Sequence, residues 1–111
     1  MEVIALKNHN IITPMSPRLD EYETARIVEE IEMLADKKVG LDLSYVKDCT
    51  IDFFEKIKNI GNISLFNVSS DIFAILTLMK LDKSLNIYVS ESDFLENKRR
   101  VLSRKFSLLI N

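Results

Sequence analysis

The sequence predicts an α/β domain in which an N-terminal β-hairpin joins a mostly parallel mixed sheet with four covering helices. Three observations point there. Strand-length apolar runs alternate with helical patterns along the chain. The order reads β-β-α-β-α-β-α-β-α, which implies a largely parallel sheet after the first hairpin. The 111 residues, with 47% hydrophobic and 29% charged, suit one folded domain spanning 1–111 rather than a disordered chain.

The first elements are short. "EVIAL" (2–6) and "NIIT" (10–13) are two apolar runs separated by "KNHN", whose Asn8 and Asn10 suit a tight turn. His9 is expected there as an ordinary polar turn residue. "PMSPRLD" follows, and Pro14 and Pro17 break regular structure.

From Glu21 to Lys37 the pattern becomes helical. Tyr22, Ala25, Val28, Ile31, Met33, Leu34 and Ala35 recur at three- and four-residue spacing. Asp20 suits the N-cap, and Lys37 and Lys38 suit the end, the charge order that the helix dipole favours. The acids Asp20, Glu21 and Glu23 read better as helix-start charges than as metal ligands.

"VGLDL" (39–43) has the length and apolarity of a central strand. "TIDFFEKIKNI" (50–60) is helical, with Ile51, Phe54 and Ile57 expected inward, Phe53 a fourth candidate, and Gly61 as terminator. "ISLFNV" (63–68) is a strand. Ser69 or Ser70 caps the apolar helix "DIFAILTLMKL". "LNIYVS" (85–90) is the last strand, and Ser90 with Asp93 resembles a capping box opening a helix over 91–106.

Composition removes several function classes. Two glycines cannot build a glycine-rich phosphate loop. One cysteine excludes an internal disulfide or a cysteine-based metal cluster, and one histidine excludes the usual multi-histidine zinc site. No cofactor is expected. A net charge of −2 supplies no long-range attraction to nucleic acid or acidic lipid. The start has no signal-peptide pattern, and no apolar run nears the roughly 20 residues that span a bilayer. The expectation is a cytoplasmic protein with neither nucleic-acid binding nor membrane insertion.

Candidate chemistry concentrates in "YVKDCTIDFF" (45–54), where a strand hands over to a helix. A helix N-terminus lowers a thiol pKa, whereas the adjacent Asp48 raises it. No histidine near Cys49 in sequence could act as its base. A structural Cys49 is therefore favoured over a reactive one. Asp42 sits where a response-regulator receiver places its phosphoacceptor, but the early acidic pair that such a site needs for Mg²⁺ is missing. Asp42 is read as a structural residue at the strand end. The basic run "NKRRVLSRKF" (97–106) reads as a solvated helix face, and the apolar tail "FSLLIN" (106–111) as an interface, core or extra strand.

Taken in order, "SPRLDEYETARIVEEI", "KVGLDLSYVKDCTIDFF" and "ISLFNVSSDIFAILTLMKLDKSLNIYVSESDFL" resemble the STAS domain, the fold of anti-sigma-factor antagonists. The family's first helix follows a Gly/Pro-Arg-Leu-Asp stretch. Its regulatory loop reads Asp-Ser-Ser/Thr-Gly, and the first serine accepts phosphate from a partner serine kinase. On that pattern Asp48 takes the Asp position, Cys49 the phosphoserine, Thr50 the second hydroxyl and Ile51 the glycine. Two of these four positions depart from the pattern.

The resemblance implies a protein-interaction module without catalysis. Its partner would be a kinase-like anti-sigma factor or another STAS-containing regulator. The contacts implied are Asp48, Cys49, Thr50 and Ile51, the wider loop 44–51, the exposed face of the helix 50–60, and the approach at Ser16–Asp20. A thiol does not replace serine in the kinase reaction. Either binding is constitutive, or phosphorylation has moved to Thr50, whose simpler role is N-cap. The alternatives are a cytoplasmic STAS subunit of a membrane lipid-transport complex and a Cys49-based redox sensor.

Overall fold

The computed structural model describes residues 1–34 and 37–98. Its elements run β1 (Glu2–Ala5), β2 (His9–Thr13), β3 (Arg18–Leu19), α1 (Glu21–Met33), β4 (Lys38–Asp42), β5 (Asp48–Cys49), α2 (Ile51–Ile60), β6 (Ile63–Phe66), α3 (Ser70–Leu78), β7 (Asn86–Tyr88) and α4 (Glu91–Glu96). The main sheet has the order β1-β2-β4-β6-β7. β1 pairs antiparallel with β2, as the hairpin reading expected, and the remaining neighbours are parallel. β3 and β5, which the sequence reading did not foresee, form a separate two-stranded parallel ladder.

Alternation along the strands divides the apolar residues between two faces. Ile12, Val39, Leu41, Ile63, Leu65 and Ile87 belong to the main core with α1, α2 and α3. Ile11, Phe66 and Tyr88 form a smaller cluster with Phe94 of α4. Gly40 is what lets α4 lie close to the sheet. A Cβ there would come within 2.7 Å of two Phe94 ring atoms and 3.0 Å of Phe66.

Helix starts follow local capping chemistry. Asp20 Oδ1 accepts from the Glu23 amide, Ser69 Oγ from Ile72 and Ser90 Oγ from Asp93. Helix ends and faces differ more from expectation. α1 ends at Met33, and Lys38 already belongs to β4. The buried positions of α1 are Thr24, Ile27 and Ile31, whereas Tyr22 and Met33 are 69% and 77% exposed and Ala25 is exposed too. The Arg26 guanidinium lies over the exposed Tyr22 ring, 5.9 Å from its centre. Ala35 lies outside the described residues.

The strand expected over 39–43 shifts by one residue to Lys38–Asp42, and those expected over 63–68 and 85–90 narrow to Ile63–Phe66 and Asn86–Tyr88. The third helix ends at Leu78. His9 opens β2 instead of sitting in the turn, with its ring edge-on to Phe94 at 5.1 Å. Asn10 is buried within β2 and donates through Nδ2 to the Leu34 carbonyl at 3.4 Å. The turn therefore falls on Lys7 and Asn8. α4 stops at Glu96 because Asn97 turns left-handed at φ 57°, and Tyr88 Oη donates to Asn97 Oδ1 at 2.6 Å. The rest of the helix expected over 91–106, most of the basic run 97–106 and the tail 106–111 lie outside the described residues.

Candidate functional site

The site grows from the C-terminal end of β4. Asp42 Oδ1 accepts from the Ser44 amide at 3.0 Å and from Asn67 Nδ2 at 3.1 Å. Asn67 holds φ at 55°, a left-handed conformation that asparagine tolerates better than most residues. Asp42 thus closes the ends of β4 and β6, which is the structural role expected of it. Leu43 and Val46 turn into the core, at 1% and 2% exposure. Ser44, Tyr45 and Lys47 remain on the surface.

The loop is then tied to the segment before α1. The amides of Lys47 and Asp48 both donate to the Pro17 carbonyl, at 2.8 and 3.1 Å. Arg18 pairs in register with Asp48 and Leu19 with Cys49. The Thr50 amide donates to the Leu19 carbonyl at 3.4 Å. Outside this ladder, Arg18 Nε lies 3.7 Å from Asp48 Oδ2, with both side chains exposed. The expected approach at Ser16–Asp20 and the loop 44–51 therefore meet along one seam.

The four residues of the candidate motif point in two directions. Asp48 and Ile51 face solvent, and Ile51 is 58% exposed. The inward placement expected for Ile51 is therefore corrected. The α2 amphipathic face rotates so that Phe53, Phe54 and Ile57 are all fully buried, which leaves the first helical residue outside. Cys49 is the inward partner, 8% exposed and part of the main core. Burial, reinforced by the charge of Asp48, pushes its thiol pKa up from 9.0 to about 12. Burial, which neither of the two effects weighed in the sequence included, is the larger cause and favours the neutral thiol.

Thr50 stands at the N-cap position with extended backbone, φ −75° and ψ 153°, but its side chain makes no capping hydrogen bond. Its Oγ1 is buried and finds no hydrogen-bond partner among the described residues. The expected capping role holds for the backbone and not for the hydroxyl. Around these residues exposed apolar side chains stand beside the Arg18–Asp48 pair and the exposed Lys47. Tyr45 is 52% exposed and Met15, two residues before Pro17, is 49% exposed. Met15 was missed at the sequence level, where only its place between two prolines could have drawn attention. Among the described residues no group of three or more His, Cys, Asp or Glu side chains could hold a metal ion.

No protein-family model and no curated protein sequence matches the chain. Solved structures do. The protein TM1081 of Thermotoga maritima superposes with a TM-score of 0.72 at 22% identity, over 89% of this chain and 88% of that one. An anti-sigma-factor antagonist (STAS) domain protein from Planctomyces limnophilus gives 0.70 at 20% identity, over 87% and 95%. The chain has the STAS fold. Sequence identity this low makes the likeness one of architecture. The murine Slc26a9 anion transporter matches 84% of this chain with a TM-score of 0.66 at 14% identity, but over only 18% of its own length. The STAS fold thus occurs both in chains of about this size and as one part of a much larger transporter. Among the described residues no helix is long and apolar enough to cross a membrane.

Proposed function

We propose that the chain is a non-enzymatic interaction module of the anti-sigma-factor antagonist kind, acting in the cytoplasm on a protein partner. The partner class that the resemblance favours is a kinase-like anti-sigma factor or another STAS-containing regulator. One observation carries the reading. The end of the sheet where the STAS resemblance places its regulatory loop presents Tyr45, Asp48 and Ile51 outward, beside Met15 and Arg18, while the nucleophilic atoms of Cys49 and Thr50 are turned away. Exposed aromatic and aliphatic side chains rimmed by a charge pair are the composition of a docking surface. An enclosed thiol with a raised pKa, without a basic partner, is a poor basis for catalysis or redox sensing.

The test is capture of partners on the tagged chain from its native cytosol, comparing wild type with Ile51→Asp and Asp48→Lys. Both variants should lose the partner while keeping the wild-type circular-dichroism spectrum. Full retention by both would move the interface elsewhere.

A second reading is a cytoplasmic STAS subunit of a membrane lipid-transport complex; the fold match to part of a membrane anion transporter bears on its membrane-transporter aspect alone. Transporter subunits among the captured proteins would favour it.

A further inference from the structure

One edge of the main sheet is open. Among the described residues β1 pairs only with β2, in continuous register from Glu2↔Thr13 to Ala5↔Asn10. All four of its residues are exposed, Val3 and Ile4 at 40% each, and Leu6 just beyond is 37% exposed. The opposite edge strand, β7, buries Ile87 and Tyr88. A proline, a bulge or a charge in mid-strand usually blunts an exposed edge, and β1 has none of them.

The backbone sets what can pair there. The Leu6 amide donates to the His9 carbonyl at 2.8 Å. Antiparallel hydrogen bonding alternates, so in the same register Ile4 and Glu2 also turn their backbone groups to β2. Val3 and Ala5 turn both N–H and C=O outward. A second β1 laid antiparallel, with Ile4 opposite Ile4 of the second copy, pairs Val3 with Ala5 of that copy on each side of the centre. All of the outward groups are then satisfied.

Charge selects a second copy as the occupant. Glu2 opens β1 and Lys7 follows its end, both exposed, and neither is in an ion pair among the described residues. The antiparallel copy brings Glu2 of each chain beside Lys7 of the other, whereas a parallel one would set like charges together. The same register places Ile4 against Ile4 on one face and Val3 against Ala5 on the other, so apolar side chains meet apolar ones.

We propose that β1 is the contact of a two-fold dimer of this chain, joining the two main sheets into one continuous sheet. The contact shares no residue with the loop 44–51 and does not depend on the binding role proposed above. An interface built on one short strand pair falls at the small end of the range, below roughly 1,200 Å², so the dimer is weak and concentration-dependent.

Sedimentation of the full chain from about 10 µM to about 1 mM should show its mass double. Over the same range amide exchange at Val3 and Ala5 should slow, while that at Ile4, already bonded to β2, changes little. Ile4→Lys sets two lysines face to face, and Ala5→Pro removes an outward N–H that β2 does not use. Each should weaken association by at least about tenfold with the circular-dichroism spectrum unchanged. Ile4→Cys should give a disulfide-linked dimer on oxidation, the native Cys49 being buried, and Glu2→Cys should not. A chain that stays monomeric throughout overturns the proposal, whether the edge is empty or filled by another strand. So does a dimer that both Ile4→Lys and Ala5→Pro leave intact, or one that forms without protecting Val3 and Ala5, because its contact lies elsewhere.

Discussion

Cys49 illustrates how one side chain's surroundings set its chemistry. A thiol pKa pushed up from 9.0 to about 12 leaves roughly a thousandfold less thiolate at pH 8 than an unfolded chain would hold. Iodoacetamide should therefore label Cys49 slowly in the native protein and quickly in denaturant, read by mass. Comparable rates in both states would contradict the buried placement. The same shift ties stability to pH. Between pH 9 and 12 the unfolded chain loses the thiol proton that the folded chain retains, so stability falls as pH rises, at up to about 1.4 kcal/mol per pH unit. Below pH 9 the contribution is complete and this group adds no slope. Urea unfolding of wild type and Cys49→Ala across pH 8–11 isolates it, because the variant should lack that component. Thr50 is the complementary case. Its hydroxyl is buried without a partner, so Thr50→Val removes a desolvated polar atom while keeping the shape. The urea midpoint should stay level or rise, by an amount worth up to about 1 kcal/mol.

At the scale of the element, the two layers are held by different means. α1 depends on its cap and its buried face. Asp20→Ala removes the acceptor of the Glu23 amide and should cost about 1 kcal/mol in chemical denaturation. α4 has only six residues and depends on one ring. Phe94 lies against Gly40 and stacks with Phe66 at 5.4 Å. Gly40→Ala pushes a methyl group into that ring and should destabilise by about 1–3 kcal/mol, with the near-ultraviolet signal of the aromatic cluster changed. If the variant were as stable as wild type, Phe94 would have room that the contact distances deny. These elements were legible to different degrees. The caps at Asp20, Ser69 and Ser90 could be read because donor and acceptor lie three residues apart. The inward face of α1 could be read only in part. Ile31 and Leu34 lie inward as their spacing implies, but Thr24 is polar and buried while Tyr22 and Met33 are apolar and exposed.

For the molecule as a whole, a packed interior lies beneath the proposed docking end, which is built where two chain segments meet. The exposed Arg18–Asp48 pair contributes little to stability, as surface ion pairs generally contribute 0–1 kcal/mol. Asp48→Lys should therefore shift unfolding by no more than about 1 kcal/mol even while it abolishes partner capture. A variant that loses binding only because it unfolds would break this separation. The proposed docking end was partly legible. The place between a strand and a helix drew attention to Cys49, whereas the set Asp48, Cys49, Thr50 and Ile51 and the Ser16–Asp20 approach came from the STAS resemblance. Which of the four face solvent was not legible, because the rotation of α2 is set by how Phe53, Phe54 and Ile57 pack against the sheet.

By itself the sequence determined the α/β alternation, the hairpin, the positions of the central strands and the helix starts. Each of those depends on residues within one or two turns of one another, so periodicity and capping chemistry carry them. Tertiary structure alone decided that Ile51 is outside and Cys49 inside, that Pro17 and Lys47 meet, that β3 pairs with β5, and that Gly40 lies beneath Phe94. Those outcomes depend on partners about thirty to fifty residues away. Whether a side chain loses its solvent is settled by what packs against it, and no local pattern records that.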